Sequence, residues 1–368
     1  MRRGGFLQRA EGYLREAGME VRLFEGIESD PSVETVMKGA AVMQEFQPDW
    51  IVAMGGGSPI DAAKAMWIKY EHPECSFEDM CKVFGLPKLR TKARFVAISS
   101  TSGTATEVTA FSIITDYAKG IKFPIADFEI TPDIAIVDPE LALTMPQKLC
   151  AHTGMDALTH DLEAIVAVAH SPYSDALAIH SMKMIRDSLV KSFGGDAAAR
   201  AVMHDAQCLA GMSFSNALLG IVHSLAHKTG AAFAGGHIIH GAANAMYLPK
   251  VIKFNAAVPF AAARYALCAG ELALAGAESS QEAKIAALIA WVRKLNDELN
   301  IPHCIRDYAA NGLPGEGMVT AAEFESKAAQ IAENAMGDAC TGCNPRQMDA
   351  KLMERVLRCC WDDSEVDF

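Results

Sequence analysis

The chain has 368 residues, of which 51% are hydrophobic, and a formal net charge of −12. This length allows two domains or one large domain with a sizeable core. The acidic balance excludes broad binding to nucleic acid or to anionic membrane surfaces, because both need basic patches.

Residues 1–145 alternate between helix and strand patterns. In chain order the predicted elements are an amphipathic helix at 1–18, a strand at 19–27, an amphipathic helix at 32–46, a buried strand at 48–57, a helix at 58–70, a buried strand at 93–101 and a last sheet segment at 134–146. This alternation is typical of βαβ units, in which helices cover both faces of a mostly parallel sheet. We therefore expect an α/β domain.

Residues 146–368 have a different pattern. Long stretches rich in Ala, Leu and Met carry helical periodicity and are separated by Gly and Pro; they include 152–170, 172–193, 197–230 and 280–299. An all-helical second domain is expected here. No apolar run free of charges reaches the length of a membrane-spanning helix, so no membrane partner is expected.

The ten cysteines are scattered through the chain. A chain of this length does not need disulfides, and no signal-peptide pattern precedes it, so we predict a cytoplasmic protein. Cys340 and Cys343 form a single CxxC. Because a zinc site would need a second such pair, a loop with two thiols is the favoured interpretation.

Two turns rich in small residues follow predicted strands. The first, Gly55, Gly56 and Gly57, leads into a helix that Ser58 can cap, with Asp61 three residues further on. Glycines let a backbone approach a ligand, and a helix N-terminus favours anions, so this turn predicts a pyrophosphate site.

The second turn, "SSTSGTATEVT", offers the hydroxyls of Thr101, Ser102 and Thr104 to phosphate or ribose oxygens. Two such turns at the carboxyl ends of strands in one sheet favour a nucleotide site over two ordinary turns.

The second half contains acidic and histidine residues at helical spacing. Asp156 and His160 are four residues apart in "TGMDALTHDLEA", and His223 and His227 are four residues apart in "VHSLAH". Such pairs share one helix face. With His240 at the start of a further helix, one carboxylate and three imidazoles from three helices can close around Fe(II), Zn(II), Mn(II) or Co(II).

Other residues compete for these roles. Asp161 is rotated off the face of His160, whereas Glu163 lies near that face and is either a support for a ligand or structural. His237 competes with His240, and spacing alone does not decide between them. The remaining histidines are interpreted as loop, structural or exposed residues: His152, His170, His180, His204 and His303.

Five blocks resemble the iron-containing (group III) alcohol dehydrogenases, in that family's order. They are "GGGSPIDAAKAMW", "STSGTATEVT", "HTGMDALTHDLEA", "HSLAHKTGAAF" and "HGAANAMYLPKVIKFNA". "YEHPE" and "DACTGCNPRQ" look especially like the alcohol dehydrogenase half of bifunctional aldehyde–alcohol dehydrogenases. The resemblance covers almost the whole chain.

The resemblance implies a Rossmann-like dinucleotide-binding domain at 1–145, a helical metal-binding domain at 146–368, and an active site in the cleft between them. It implies Asp156, His160, His223 and His240 as metal ligands, and His227 as the group that takes part in proton transfer. Gly55 to Ser58 would hold the pyrophosphate with Asp61 nearby; Thr101, Ser102 and Thr104 would line the other side, and Lys122 would lie near the ribose.

The implied reaction is hydride transfer between a short-chain primary alcohol or aldehyde and NAD(H), with NADP(H) left open. Fe2+ is the expected metal, with Zn2+ or another divalent ion as an alternative, and a homodimer is the expected assembly.

The chain departs from the family at two places. The loop before His240 is longer than in relatives, whose fourth ligand falls at the distance occupied here by His237; the following "GAANA" block favours His240. The family's first strand and turn are apparently missing, which would expose a sheet edge and remove part of the nucleotide site. The alternative function is therefore a truncated member with weak or no activity and a structural or assembly role.

Overall fold

The computed structural model describes residues 4–119, 121–230, 232–233, 236–309 and 317–368. Their contacts divide the chain into two compact units. Unit 1 comprises Met1–Thr101 and Ala105–Thr144, and unit 2 comprises Ser102–Thr104 and Met145–Phe368.

Unit 1 is an α/β domain, as the strand and helix alternation predicts. Its elements are α1 (Phe6–Glu16), α2 (Val33–Phe46), β1 (Trp50–Gly55), α3 (Gly57–Glu71), α4 (Phe77–Met80), β2 (Arg94–Ser99), β3 (Phe111–Asp116), β4 (Ile121–Ala126) and β5 (Ile134–Ile136). Strands β1, β2 and β5 form a parallel sheet in that order, with Trp50 opposite Arg94 and Gly55 opposite Ser99. Both buried strands predicted upstream of residue 102 are therefore confirmed.

Two features of unit 1 differ from expectation. Strands β3 and β4 form a separate antiparallel hairpin that the sequence pattern did not indicate. The strand predicted at 19–27 is wrong, because within the described residues this segment pairs with no strand. A strand requires a hydrogen-bonded neighbour, and alternating hydrophobicity alone does not supply one.

Strand β1 lies at the edge of the parallel sheet. Trp50 and Val52 are exposed on it, while Ile51 and Ala53 face the core. A groove of about 600 Å³ runs along this edge, and the segment 19–24 forms part of its wall. The sheet thus has an open edge at the strand that leads into the glycine turn.

Unit 2 is built from helices. They are α5 (Gln147–Ala164), α6 (Pro172–Phe193), α7 (Ala197–Ala217), α8 (Ile221–Thr229), α9 (His240–Asn255), α10 (Pro259–Glu271), α11 (Gln281–Glu298), α12 (Ala321–Met336) and α13 (Ala350–Asp362). Helices α5 and α9 form the centre of its core and are buried on nearly every side. Polar side chains on these two helices therefore need partners inside the protein.

No single helix among the described residues is long and apolar enough to cross a bilayer. Helices α7 and α8 meet the length and composition criteria only as a pair, and that pair is bent by 104°.

Candidate active site

Asp156 and His160 lie one turn apart on α5, as their spacing predicts, and both are buried. The His160 ring stacks on Phe214 of α7 with a centroid distance of 4.1 Å, which fixes the ring plane. A side chain at Gly154 would place its Cβ 2.2 Å from Leu189, so glycine lets α6 pack closely against this helix. The two residues are held rigidly in the core of unit 2.

Helix α8 presents His223 and receives its N-terminal cap from another helix. Its own N-cap residue, Gly220, supplies no side chain. Instead Glu163 of α5 accepts the backbone N–H of Val222 at 2.7 Å and that of His223 at 3.4 Å. A carboxylate satisfies free N–H groups at a helix start and interacts favourably with the helix dipole. A Cβ at Gly220 would lie 2.8 Å from Glu163 Oε1, so glycine gives this carboxylate room.

The same carboxylate orients the His223 ring. His223 Nδ1 lies 2.5 Å from Glu163 Oε2, so the ring donates its Nδ1–H there and turns Nε2 toward Asp156. Burial alone would lower the pKa of His223, but Asp156 and Glu163 raise that pKa to about 9. Glu163 is thus the support for a ligand, one of the two roles that the sequence left open.

Three imidazole nitrogens face one carboxylate oxygen. The Nε2 atoms of His240, His223 and His160 lie 3.4, 3.6 and 3.9 Å from Asp156 Oδ1. Ligand atoms of Asp156, His160 and His223 all lie within 4.8 Å of one another. His240 is the first residue of α9, and its side chain is 30% exposed, whereas the others are buried.

The protonation of this cluster follows from its burial. Burial by itself would raise the pKa of Asp156. The nearby His160, His240 and His223 together have the larger effect and hold this pKa below its ordinary value. Burial lowers the pKa of His160 to about 3, which keeps that imidazole neutral. The ionised carboxylate and the neutral His160 suit a divalent cation as they stand, whereas His223, with its raised pKa, has to release a proton when a metal binds.

Asn244, one turn after His240 on α9, contacts three of these groups. Its Nδ2 donates to Asp156 Oδ1 at 2.7 Å and lies 3.2 Å from Nε2 of both His223 and His240. Its Oδ1 is buried without a hydrogen-bond partner in the described part of the chain. The sequence analysis missed this residue, although it lies inside the "GAANA" block and a buried Asn on a core helix signals a polar partner.

His227 lies beside the cluster on α8. Its ring is parallel to that of His240, with a centroid distance of 5.2 Å. Its Nδ1 lies 3.1 Å from Asp338 Oδ2, and Lys228 Nζ lies 2.8 Å from the same oxygen. Burial lowers the pKa of His227. Burial by itself would raise the pKa of Asp338, but His227 and Lys228 have the larger effect and lower the pKa of this carboxyl group. Sequence reasoning missed Asp338, which begins the "DACTGC" segment.

His237 and His240 separate clearly in the structure. His237 is exposed, whereas His240 points its Nε2 at Asp156. His152 was expected in the loop before the helix. It lies instead within α5, where burial lowers its pKa to about 4. Asp161 is fully buried and accepts the Ser181 hydroxyl at 2.6 Å, away from the histidines.

The glycine turn of unit 1 links β1 to α3. Gly55 ends the strand and Gly56 precedes the first residue of the helix, Gly57. A Cβ would lie 2.7 Å from Pro59 at Gly55 and 3.0 Å from Thr101 at Gly56, so both positions require close approach. This confirms the expected strand–glycine–helix arrangement, in which free backbone N–H groups open the helix.

Two side chains after this turn have roles other than those predicted. Ser58 does not cap α3, because the helix begins at Gly57, and Ser58 Oγ instead accepts the Asp30 N–H at 3.3 Å. Asp61 is tied into the core: its carboxylate accepts the Thr106 hydroxyl at 2.6 Å and the Ile113 N–H at 3.2 Å. Burial raises the pKa of Asp61 to about 6.

The hydroxyl-rich turn is split between the units. The hydroxyl oxygens of Thr101 in unit 1 and Thr104 in unit 2 are buried and have no hydrogen-bond partner within the described residues. Ser102 is buried, and its Oγ lies 3.1 Å from His204 Nδ1. Gly103 packs on α5, where an added Cβ would lie 2.4 Å from Thr153. Lys122, expected near the ribose, is buried with Nζ 2.7 Å from Asp30.

The donor set in unit 2 fits a divalent metal ion. One carboxylate oxygen and neutral imidazole nitrogens are the ligands that Fe(II), Zn(II) and Co(II) accept. Glu163 holds His223 in the way that carboxylates commonly orient metal-binding histidines. A second group, His227, Asp338 and Cys340, also has ligand atoms within 4.8 Å of one another. There the Lys228 ammonium already occupies the carboxylate, which disfavours a cation.

Comparisons with known proteins cover both units. Residues 1–139 match the model of the iron-containing alcohol dehydrogenase family, and residues 150–361 match the model of its C-terminal domain. The chain is 57% identical over 368 residues to an NADPH-dependent butanol dehydrogenase of Clostridium saccharobutylicum, covering all of this chain and 91% of that protein.

Further similarities lie in longer and in structurally solved relatives. A bifunctional aldehyde-alcohol dehydrogenase of Escherichia coli is 41% identical over 96% of this chain, which spans only 41% of that protein. An iron-containing alcohol dehydrogenase of Thermococcus thioreducens has a TM-score of 0.86 at 35% identity, over 99% of this chain and 91% of its own. A 1,3-propanediol oxidoreductase has a TM-score of 0.86 at 32% identity, over 98% and 90%.

Proposed function

The chain belongs to the iron-containing alcohol dehydrogenase family and interconverts alcohols and aldehydes with NAD(P), and on that premise we propose that its substrates are short-chain primary alcohols and their aldehydes. The observation that carries this proposal is the cluster in unit 2, where three imidazole nitrogens face Asp156 Oδ1 in a buried site. Similarity to a butanol dehydrogenase favours a four-carbon aldehyde as the first substrate to test.

We propose Asp156, His160, His223 and His240 as the ligands of the metal and Fe2+ as the ion, with Zn2+ as the alternative. Each of the four offers a carboxylate oxygen or an imidazole nitrogen, and the imidazole Nε2 atoms lie within 4 Å of the same carboxylate oxygen. When bound, the ion supplies Lewis-acid polarisation of the substrate oxygen and the dinucleotide carries the hydride.

The residues of the chain have separate tasks in this proposal. Glu163 keeps the Nε2 lone pair of His223 available by accepting its Nδ1–H. His227, whose ring packs parallel to that of His240, exchanges the proton with the substrate oxygen. Burial of the cluster excludes water, and this strengthens each electrostatic interaction within it.

We propose Gly55, Gly56, Gly57 and Ser58 as the pyrophosphate site within residues 1–145, with Asp61 supporting the turn from the core. The close approach at Gly55 and Gly56 and the free N–H groups of α3 support this assignment. The unpartnered hydroxyls of Thr101 and Thr104 support their proposed contact with the cofactor. We also propose that Ser102 and Lys122 contact the cofactor, although each has a partner inside the protein.

Of the two dinucleotides, we propose NADPH, because the butanol dehydrogenase that is 57% identical uses it. We also propose a cytoplasmic location and a homodimer. Light scattering on a size-exclusion column measures the assembly directly.

The experiment is a rate measurement on anaerobically purified protein. Metal content is determined by mass spectrometry, and then reduction of acetaldehyde, butyraldehyde and 3-hydroxypropionaldehyde is followed with NADPH and with NADH. We expect one bound metal ion per chain and the highest kcat/KM for butyraldehyde with NADPH. Retained NADPH binding without turnover of any aldehyde would instead favour the structural or assembly role.

A further inference from the structure

Asp338 is a buried carboxylate that none of the assignments above uses as a catalytic group. Its side chain is fully buried, and both of its oxygens are engaged. Oδ2 accepts His227 Nδ1–H at 3.1 Å and the Lys228 ammonium at 2.8 Å, and Oδ1 accepts the Cys340 backbone N–H at 3.1 Å. Three donors converge on one carboxylate that lies 111 residues away from His227.

The Cys340 thiol lies near enough to form a second metal site with His227 and Asp338, but the contacts of this group disfavour a cation. A metal ligand must offer a free lone pair, whereas the Asp338 oxygen that faces His227 already pairs with the Lys228 ammonium. Burial also raises the pKa of Cys340 well above its ordinary value, which disfavours the thiolate that a metal ion would need. The group therefore acts through hydrogen bonds.

The segment that carries Asp338 is fastened to α8. The Thr341 hydroxyl contacts Ser224 Oγ at 2.8 Å, and Ser224 lies on α8 between the two histidines. At the far end of the segment Asn344 and Asn255 bond to each other through both side-chain amides, at 3.0 and 2.9 Å. These contacts hold the segment against α8 and α9.

A carboxylate can only accept a hydrogen bond, so it selects the histidine tautomer with the proton on Nδ1. The proton then sits on the side facing Asp338, and Nε2 keeps its lone pair. The parallel packing of His227 on His240 fixes the plane of the same ring. One contact thus sets the tautomer and the other sets the plane.

We propose that Asp338 is a positioning residue that holds His227 in the Nδ1–H tautomer, so that Nε2 is the atom that exchanges the proton with substrate. This inference rests on the proposed role of His227 and adds the residue on which that role depends. Asp338 touches neither substrate nor cofactor, and its effect passes entirely through the imidazole.

A double-mutant cycle tests the proposal on the metal-loaded enzyme. D338A, H227A and the double variant are compared for kcat, KM and metal content in butyraldehyde reduction. We expect D338A to lower kcat about 10- to 100-fold, the range seen when an orienting partner is lost, with KM and metal content within twofold of wild type. The double variant should be no slower than H227A alone, because Asp338 then has no ring to orient.

T341V is the matched control. It removes a tether of the same segment without touching His227, so it should lower the melting temperature and leave kcat within twofold. In case D338A does not fold, D338N enters the same cycle: its amide can face the ring with N–H or with oxygen, so the single tautomer is lost while the shape is kept.

Long-range 1H–15N spectra of histidine-labelled, zinc-loaded protein report the tautomer without turnover. We expect His227 to be protonated at Nδ1 in wild type and mixed in D338N. Unchanged kcat in D338A and D338N, metal loss parallel to the loss of activity, or rate losses that multiply in the double variant would each overturn the proposal. A wild type that reduces no aldehyde but shows the expected tautomer would count against the proposed function and not against this contact.

Discussion

The glycine turn of unit 1 and the histidine cluster of unit 2 are built in opposite ways. The turn uses backbone: Gly55 and Gly56 have no side chain, and their neighbours come within 3.0 Å of the place where one would be. The cluster uses ionisable side chains from α5, α8 and α9, of which Asp156 and His223 are each hydrogen-bonded to a residue of another helix. A backbone site depends on a few consecutive residues, whereas a side-chain cluster depends on how helices pack.

The two sites should therefore fail differently when they are mutated. A change in the cluster should affect metal binding and stability together, because buried charges lose their partners. A change in the turn should affect dinucleotide binding and leave the metal in place.

The largest effect is expected from His223→Ala. The substitution removes a proposed ligand and leaves Glu163 buried without the ring that it orients. Metal content and aldehyde reduction should be lost together, as measured by mass spectrometry and NADPH oxidation. H237A is the control, because His237 is exposed. Full activity in metal-free H223A would contradict the ligand assignment.

Glu163→Gln tests whether metal binding in the cluster depends on the residue that orients His223. Glutamine keeps one oxygen for the Val222 N–H but presents an amide to His223 Nδ1. Metal affinity should fall about 10- to 100-fold, as for other residues that orient metal ligands, measured by competition with a chelator. Unchanged affinity would mean that Glu163 serves only as the cap of α8.

Gly56→Ala tests the backbone site. The added methyl group would lie 3.0 Å from Thr101 Cγ2 and force the turn away from its position. We expect the KM for NADPH to rise about tenfold, equivalent to about 1.4 kcal/mol, with metal content unchanged. Gly12→Ala is the control, because no atom lies within 4 Å of its added Cβ. Metal loss in G56A would break the distinction between the two sites.

The smallest effect concerns His152, a buried imidazole on α5 outside the proposed ligands. Burial lowers its pKa to about 4, and Lys148 contributes to the shift. Between pH 6.5 and 4 the unfolded chain binds a proton that the folded chain does not, so stability falls as pH falls through this window, by up to about 3 kcal/mol. Urea unfolding at pH 7 and pH 4.5 should show a smaller loss for H152Q than for wild type. Equal losses would contradict the buried, neutral imidazole.

Much of the fold was predictable from local patterns. Strands β1 and β2, helix α3 and the helices of unit 2 follow from hydrophobic period and from Gly and Pro positions, because these depend on neighbours along the chain. The strand predicted at 19–27 was wrong for the converse reason. Its hydrophobic residues alternate as in a strand, but the segment pairs with no strand among the described residues. The β3–β4 hairpin was missed, and Lys122, which lies on β4, is buried against Asp30, a residue that is distant from it in the sequence.

The sequence by itself determined which residues share a helix face, because the α-helical repeat places Asp156 with His160 and His223 with His227 whatever the packing. Only the tertiary structure decided which faces meet. His240 rather than His237 lies beside Asp156 because α9 begins at His240. Glu163, Asn244 and Asp338 reach their partners across 60, 88 and 111 residues. Contacts over such separations arise from helix packing, and no local pattern encodes them.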